Sequence, residues 1–124
     1  YKKAFGAREV MRMPAPDGKL GHAEVRIGDA PVMLADEYPE MNFRSPQSIG
    51  GTPVNIVVYV ADVDALVKQA EAAGAKVLRP PADQFYGDRM ATLEDPFGHS
   101  WSFATHIEDV SPEEMQKRAA SEHS

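Results

Sequence analysis

The residues of this 124-residue chain that could do chemistry are few: four histidines, no cysteine, and a His-x-Glu pair on a candidate strand, His22 and Glu24. Two positions apart on a strand, the pair shares one face. There it could ligate a metal or act as a base with its orienter, or simply form the outward polar stripe of a half-exposed hairpin. Arg89 offers a planar fork for a carboxylate or phosphonate if it faces a cavity, and is otherwise a surface arginine paired with Asp88 or Glu94. Asn55, Val57 and Tyr59 share one face of a β-branched run, where Tyr59 either donates a phenolic hydrogen bond or stacks on a ligand, or packs with its hydroxyl at a rim. His99 and His106 flank the last strand, positions typical of surface histidines, and His123 lies in a polar tail and is uninformative. Without cysteine there is no disulfide or thiolate nucleophile, so any metal must use histidine and carboxylate ligands. No residue is identified as catalytic.

Composition narrows the classes. With 43% hydrophobic and 26% charged residues the chain is ordinary globular material, suited to a single domain over 1–124. A net charge of −6 argues against nucleic acid, whose binding draws on a basic surface. No apolar run approaches the roughly 18 residues of a membrane span, and no signal peptide is visible, so a soluble, cytoplasmic protein is expected.

The elements that must position these residues follow from turn chemistry and periodicity. Tyr1 to Gly6 reads either as the end of a helix, with Lys2 and Lys3 in the last turn and Gly6 just beyond it, or as a short N-terminal turn. Residues 7–14, His22 to Ile27 and Val32 to Ala35 read as three strands joined by Ala-Pro-Asp-Gly and Gly28-Asp29. Residues 37–53 carry Pro39, Pro46, Pro53 and Gly50-Gly51 without periodicity, as a linker or lid. Val54 to Val60 reads as a buried central strand. A helix follows, with Asp62 as N-cap, Val63, Leu66, Val67 and Ala70 in one stripe, and Gly74 closing it. Strands are expected at Ala75 to Leu78, ending at Pro80-Pro81, then at Arg89 to Leu93 and His99 to Thr105. Ser111-Pro112-Glu113-Glu114 is a capping box opening a short helix within 106–124, fraying after Ala120.

Residues 54–105 thus read β-α-β-β-β, and residues 1–36 repeat the end of that order. A constant shift of 67 lays His22 on Arg89, Gly28 on Asp95, Leu34 on Trp101 and Ala35 on Ser102. Two such units, each with an uncovered sheet face, would join around a shared cup.

Three stretches carry a family resemblance: Tyr-Lys-Lys-Ala-Phe-Gly-Ala, Gly-His-Ala-Glu-Val-Arg-Ile-Gly-Asp with Val-Met-Leu-Ala-Asp-Glu, and Gly-Asp-Arg with Asp-Pro-Phe-Gly-His-Ser-Trp-Ser. They resemble the PhnB-like branch of the vicinal oxygen chelate superfamily, which includes glyoxalases, bleomycin-resistance proteins and extradiol dioxygenases. The resemblance implies an α+β fold of paired βαβββ modules forming a curved mixed sheet around a cup. It also implies that the first module is incomplete, entering the chain part-way through its helix. In the family a divalent metal at the base of the cup polarises substrate oxygens, held commonly by His and Glu from the first and last strands of each module. The positions that match here are Ala35, Asn55 and Ser102. Alanine cannot ligate, and a neutral amide and hydroxyl are weak donors to a transition metal.

The resemblance places the Asn55 face in the cup, so Trp101 and Phe103, alternating with Ser102, belong to the core. Tyr38, Met41 and Phe43 in the linker, with Phe85 and Tyr86 before Arg89, either cover the cup or a partner or pack against the sheet. The expected function is metal-free binding of a hydrophobic or aromatic small molecule, without a cofactor, by Asn55, Tyr59, Arg89, Ser102, His22 and Glu24. The alternative is a metal-dependent lyase, isomerase or dioxygenase with a displaced site built on His22 and Glu24. A homodimer is implied by family analogy, and an unpaired strand edge in the first module would also invite pairing.

Overall fold

The computed structural model describes residues 1–122; His123 lies outside the described residues. The chain opens with a short helix, α1 (Lys2–Phe5), stopped by Gly6 in the left-handed region at φ 65°, its N–H donating to the Lys2 carbonyl. Strands β1 (Arg8–Pro14), β2 (Leu20–Ile27) and β3 (Ala30–Leu34) follow, forming an antiparallel sheet in chain order. Along β2 the pattern alternates cleanly: Ala23, Val25 and Ile27 are buried in the core, while His22, Glu24 and Arg26 face the other way.

The linker carries more order than its lack of periodicity suggests. Pro39–Met41 forms a 3-10 turn, and α2 (Pro46–Ile49) starts with proline at N1 behind Ser45, whose hydroxyl accepts the Ser48 N–H. Both segments use proline where its missing N–H costs nothing.

The second unit runs β4 (Asn55–Tyr59), α3 (Val63–Ala72), β5 (Lys76–Asp83), β6 (Asp88–Glu94) and β7 (Ser100–His106). Its sheet order is β4-β7-β6-β5, with β4 parallel to β7. Asp62 caps α3 by accepting the Ala65 N–H, as its position before the apolar stripe requires. Two strand readings need correction. β4 is an edge strand whose Val57 and Tyr59 are exposed, not a buried central one. β5 continues through Pro80-Pro81 to Asp83, because proline sits on the outer strand at interruptions of the ladder. The last helix, α4 (Pro112–Glu122), begins where Ser111 accepts the Glu114 N–H and extends past Ala120. Glu114 turns to Arg118 rather than back to the cap.

The two sheets share no ladder. They are joined through one core in which Val25 and Ile27 of β2 cluster with Val63, Val67 and Ala70 of α3 and with Trp101 and Phe103 of β7. Phe5 of α1 fills the joint, its ring 4.7 Å from Phe103 and 5.1 Å from Trp101. The buried indole donates to Asp95 at 2.9 Å, so Trp101 satisfies its one polar group while supplying apolar bulk. Trp101 and Phe103 are core, as their alternation with Ser102 implies. The mixed α+β architecture has two sheets and no closed barrel, and each sheet keeps one face free of helices. No helix among the described residues is long and apolar enough to cross a membrane.

Candidate functional site

Because side chains alternate along a strand, the burial of Trp101 and Phe103 turns Ser100, Ser102 and Ala104 onto the helix-free face of the second sheet. β4 brings Asn55, Val57 and Tyr59 to the same face, since Asn55 pairs with Ser100 and Val57 with Ser102. β6 adds Thr92, directly opposite Ser102. Four polar side chains interlock there. The Asn55 amide donates to Ser102 Oγ at 2.8 Å and its carbonyl accepts Ser100 Oγ at 2.9 Å, while Thr92 Oγ1 lies 2.8 Å from Ser102 Oγ. Ser102 is only 2% exposed, so Asn55 and Thr92 satisfy a hydroxyl that would otherwise be stranded.

The donor set is the wrong kind for a divalent cation. It consists of neutral hydroxyls and one amide, engaged with one another, where metal ligands would be imidazole or carboxylate. Among the described residues no three His, Asp or Glu side chains are grouped to hold a metal ion.

At the far end of this face stands a second cluster. Asp88, 4% exposed, accepts the Tyr59 hydroxyl at 2.6 Å and lies 2.9 Å from His106 Nδ1. His106 Nε2 is 2.7 Å from Asp109. The bond from Tyr59, then the imidazole, hold the Asp88 carboxyl below its ordinary range, and Asp88 with Asp109 raises His106 above the usual imidazole value. The bond to Asp88 likewise raises the Tyr59 phenol. Tyr59 thus donates its hydroxyl while its ring stays exposed at the rim.

The other expected site residues are scattered. His22 and Glu24 lie on the helix-free face of the first sheet, opposite Met13 and Met11 respectively, and neither makes a side-chain bond among the described residues. Arg89 points to the helix side. It grips Asp64 of α3 through Nε and Nη2 at 2.7 and 3.0 Å and Asp83 at 2.9 Å, so it neither faces the Asn55 surface nor pairs with Asp88 or Glu94. The constant shift of 67 fails for β2 and β6, because it lays outward His22 on helix-facing Arg89. Ala35 lies just past the end of β3. Phe85 and Tyr86 pack edge to face with centroids 5.2 Å apart.

Thr92, Ser100 and Asp88 were not anticipated. The signal was present: with Arg89 placed, alternation along β6 puts Asp88 and Thr92 on the opposite face. A cavity of about 400 Å³ bounded by Tyr1, Phe5, Ala23 and Val25 is not part of this site, because it lies on the core side of the first sheet.

Comparison with known proteins fits this geometry. Residues 1–103 match the family described as the Glyoxalase/Bleomycin resistance protein/Dioxygenase superfamily. An uncharacterized protein of Mycobacterium bovis is 46% identical over 98% of this chain and 82% of its own length. Among solved structures, TioX from Micromonospora sp. ML1 superposes with a TM-score of 0.66 at 29% identity, over 89% of this chain and 85% of its own. TnmS3, an antibiotic binding protein from Streptomyces sp. CB03234, gives 0.62 at 20% identity over 86% and 80%, a likeness of fold alone.

Proposed function

We propose that this chain, which belongs to the Glyoxalase/Bleomycin resistance protein/Dioxygenase superfamily, binds a hydrophobic or aromatic small molecule without a metal. The observation that carries the reading is the Asn55–Ser102–Thr92–Ser100 network, in which Asn55 and Ser102 stand at positions where the family resemblance expects metal ligands. A neutral network orients a ligand by hydrogen bonds and adds no Lewis acid. Beside it, Val57 and the Tyr59 ring give an apolar floor about 50% and 59% exposed, which a flat ligand would cover. TnmS3, which shares the fold, is an antibiotic binding protein.

A homodimer belongs to the same reading. The first sheet presents Met11, Met13 and Met33 on its helix-free face, all exposed, and the outer edge of β3 pairs with nothing among the described residues. Apolar faces of this kind are covered by a partner, and a second copy would close each open face over a ligand.

The test is a nuclear magnetic resonance titration with bleomycin and a polycyclic aromatic antibiotic. Saturable shifts centred on residues 55–59 and 100–104, unchanged by EDTA and weakened in Asn55→Ala, support the reading. Shifts that vanish on chelation would overturn it.

A further inference from the structure

We infer that the chain has a second binding site, for a planar aromatic monocarboxylate, in the trough between the linker and the β6–β7 turn. Two adjoining cavities of about 590 and 420 Å³ share Ala35, Asp36, Glu37, Ser45 and His99 as walls. Together they form one trough, whose walls include none of Asn55, Thr92, Ser100 and Ser102.

The wall is constructed rather than slack. Tyr38 and Phe43 form an isolated antiparallel bridge, and the Lys19 ammonium sits 5.0 Å over the Tyr38 ring. Glu37 accepts the Ser48 hydroxyl at 2.7 Å and the Ser45 N–H at 2.8 Å, bonds that hold its carboxyl down at about 2. Asp36 accepts the Leu20 N–H at 2.6 Å.

Against these engaged acids stand two donors with nothing to do. Arg44 and His99 line the trough, and neither side chain has a hydrogen-bond or ion-pair partner among the described residues. A guanidinium fork and a ring N–H presented to one space suit a carboxylate. Asp36 and Glu37 cap the charge that the trough tolerates, which favours a monoanion over a phosphate. Met41 and Phe43 supply the apolar surface, 63% and 59% exposed although they belong to an ordered segment, and a ring covering Phe43 gains both burial and stacking.

The probe is 1-naphthoate, titrated into the 124-residue chain, with 1-naphthalenemethanol as its uncharged counterpart. The expected result is saturable binding that shifts the amides of residues 36–45 and 97–99. The alcohol and the Arg44→Gln variant should each bind roughly threefold to fivefold more weakly, the effect of one exposed ion pair. Phe43→Ala should weaken both compounds, while Lys68→Gln, which removes a cation elsewhere, should change neither. Equal binding of acid and alcohol, an unaltered Arg44→Gln variant, or shifts centred on residues 55–59 would each overturn the assignment. The last outcome would leave the Asn55 surface standing as a ligand site, so the two proposals fail separately.

Discussion

Asn55 and Ser102, 47 residues apart in sequence, are locked by a 2.8 Å hydrogen bond across the parallel ladder of β4 and β7. Each is also held from its other side, Asn55 by Ser100 and Ser102 by Thr92. A chain of hydrogen-bonded neutral groups has a fixed pattern of donors and acceptors, which is what orienting a ligand demands.

Breaking that chain of bonds has separable consequences. Ser102→Ala leaves Asn55 and Thr92 each short of a partner and should lower stability by about 1–2 kcal/mol. Asn55→Ala, at an exposed edge, should cost less stability and more ligand affinity. Urea melts and ligand titrations of the two variants check the contrast.

Arg89 is assigned to structure. Its partners Asp64 and Asp83 are 48% and 65% exposed, so solvent screens both pairs. Arg89→Ala should therefore lose no more than about 1 kcal/mol of stability and leave ligand affinity on the Asn55 face unchanged. A large loss of affinity without loss of stability would return Arg89 to the binding surface.

The Tyr59–Asp88–His106–Asp109 cluster makes stability depend on pH at both ends. Asp88 is depressed, so its contribution is full above the ordinary carboxylate value of about 4 and is lost as pH falls through its lowered one. His106 is raised, so its contribution is full below about 6.5 and is lost as pH rises through its raised value. The Tm difference between the wild-type chain and His106→Ala should peak between those limits and shrink outside them. A difference that stays flat with pH would contradict the bridge.

The dimer reading places Met33, 67% exposed, under a second copy. Wild-type chain should sediment at twice the chain mass and Met33→Glu at the single mass, with unchanged circular dichroism. A wild-type chain that sediments at the single mass would remove the dimer.

What the sequence disclosed and what it hid have physical causes. The order of elements was legible because it is written in local chemistry: the Asp62 cap and apolar stripe of α3, the Gly6 stop, and Ser111 before Pro112. Asn55 and Ser102 were reached through the family resemblance, as the positions that match its ligand pattern. A constant shift cannot align both strands of each hairpin, because the turns differ in length, Gly28-Asp29 between β2 and β3 and residues 95–99 between β6 and β7. The grip of Arg89 on Asp64, 25 residues away, was invisible because it depends on how α3 lies on the sheet. The Tyr59–Asp88–His106 contacts depend likewise on strand order, which puts β7 between β4 and β6.

The most direct test of the central claim is calorimetric titration of the chain with Zn²⁺, repeated with Ni²⁺, Mn²⁺ and Fe²⁺, on wild type, Asn55→Ala and His22→Ala. No stoichiometric uptake is expected for any of the three proteins, alongside ligand binding that EDTA leaves intact. One tightly held ion per chain, lost in Asn55→Ala or in His22→Ala, would contradict it and restore a metal-dependent site.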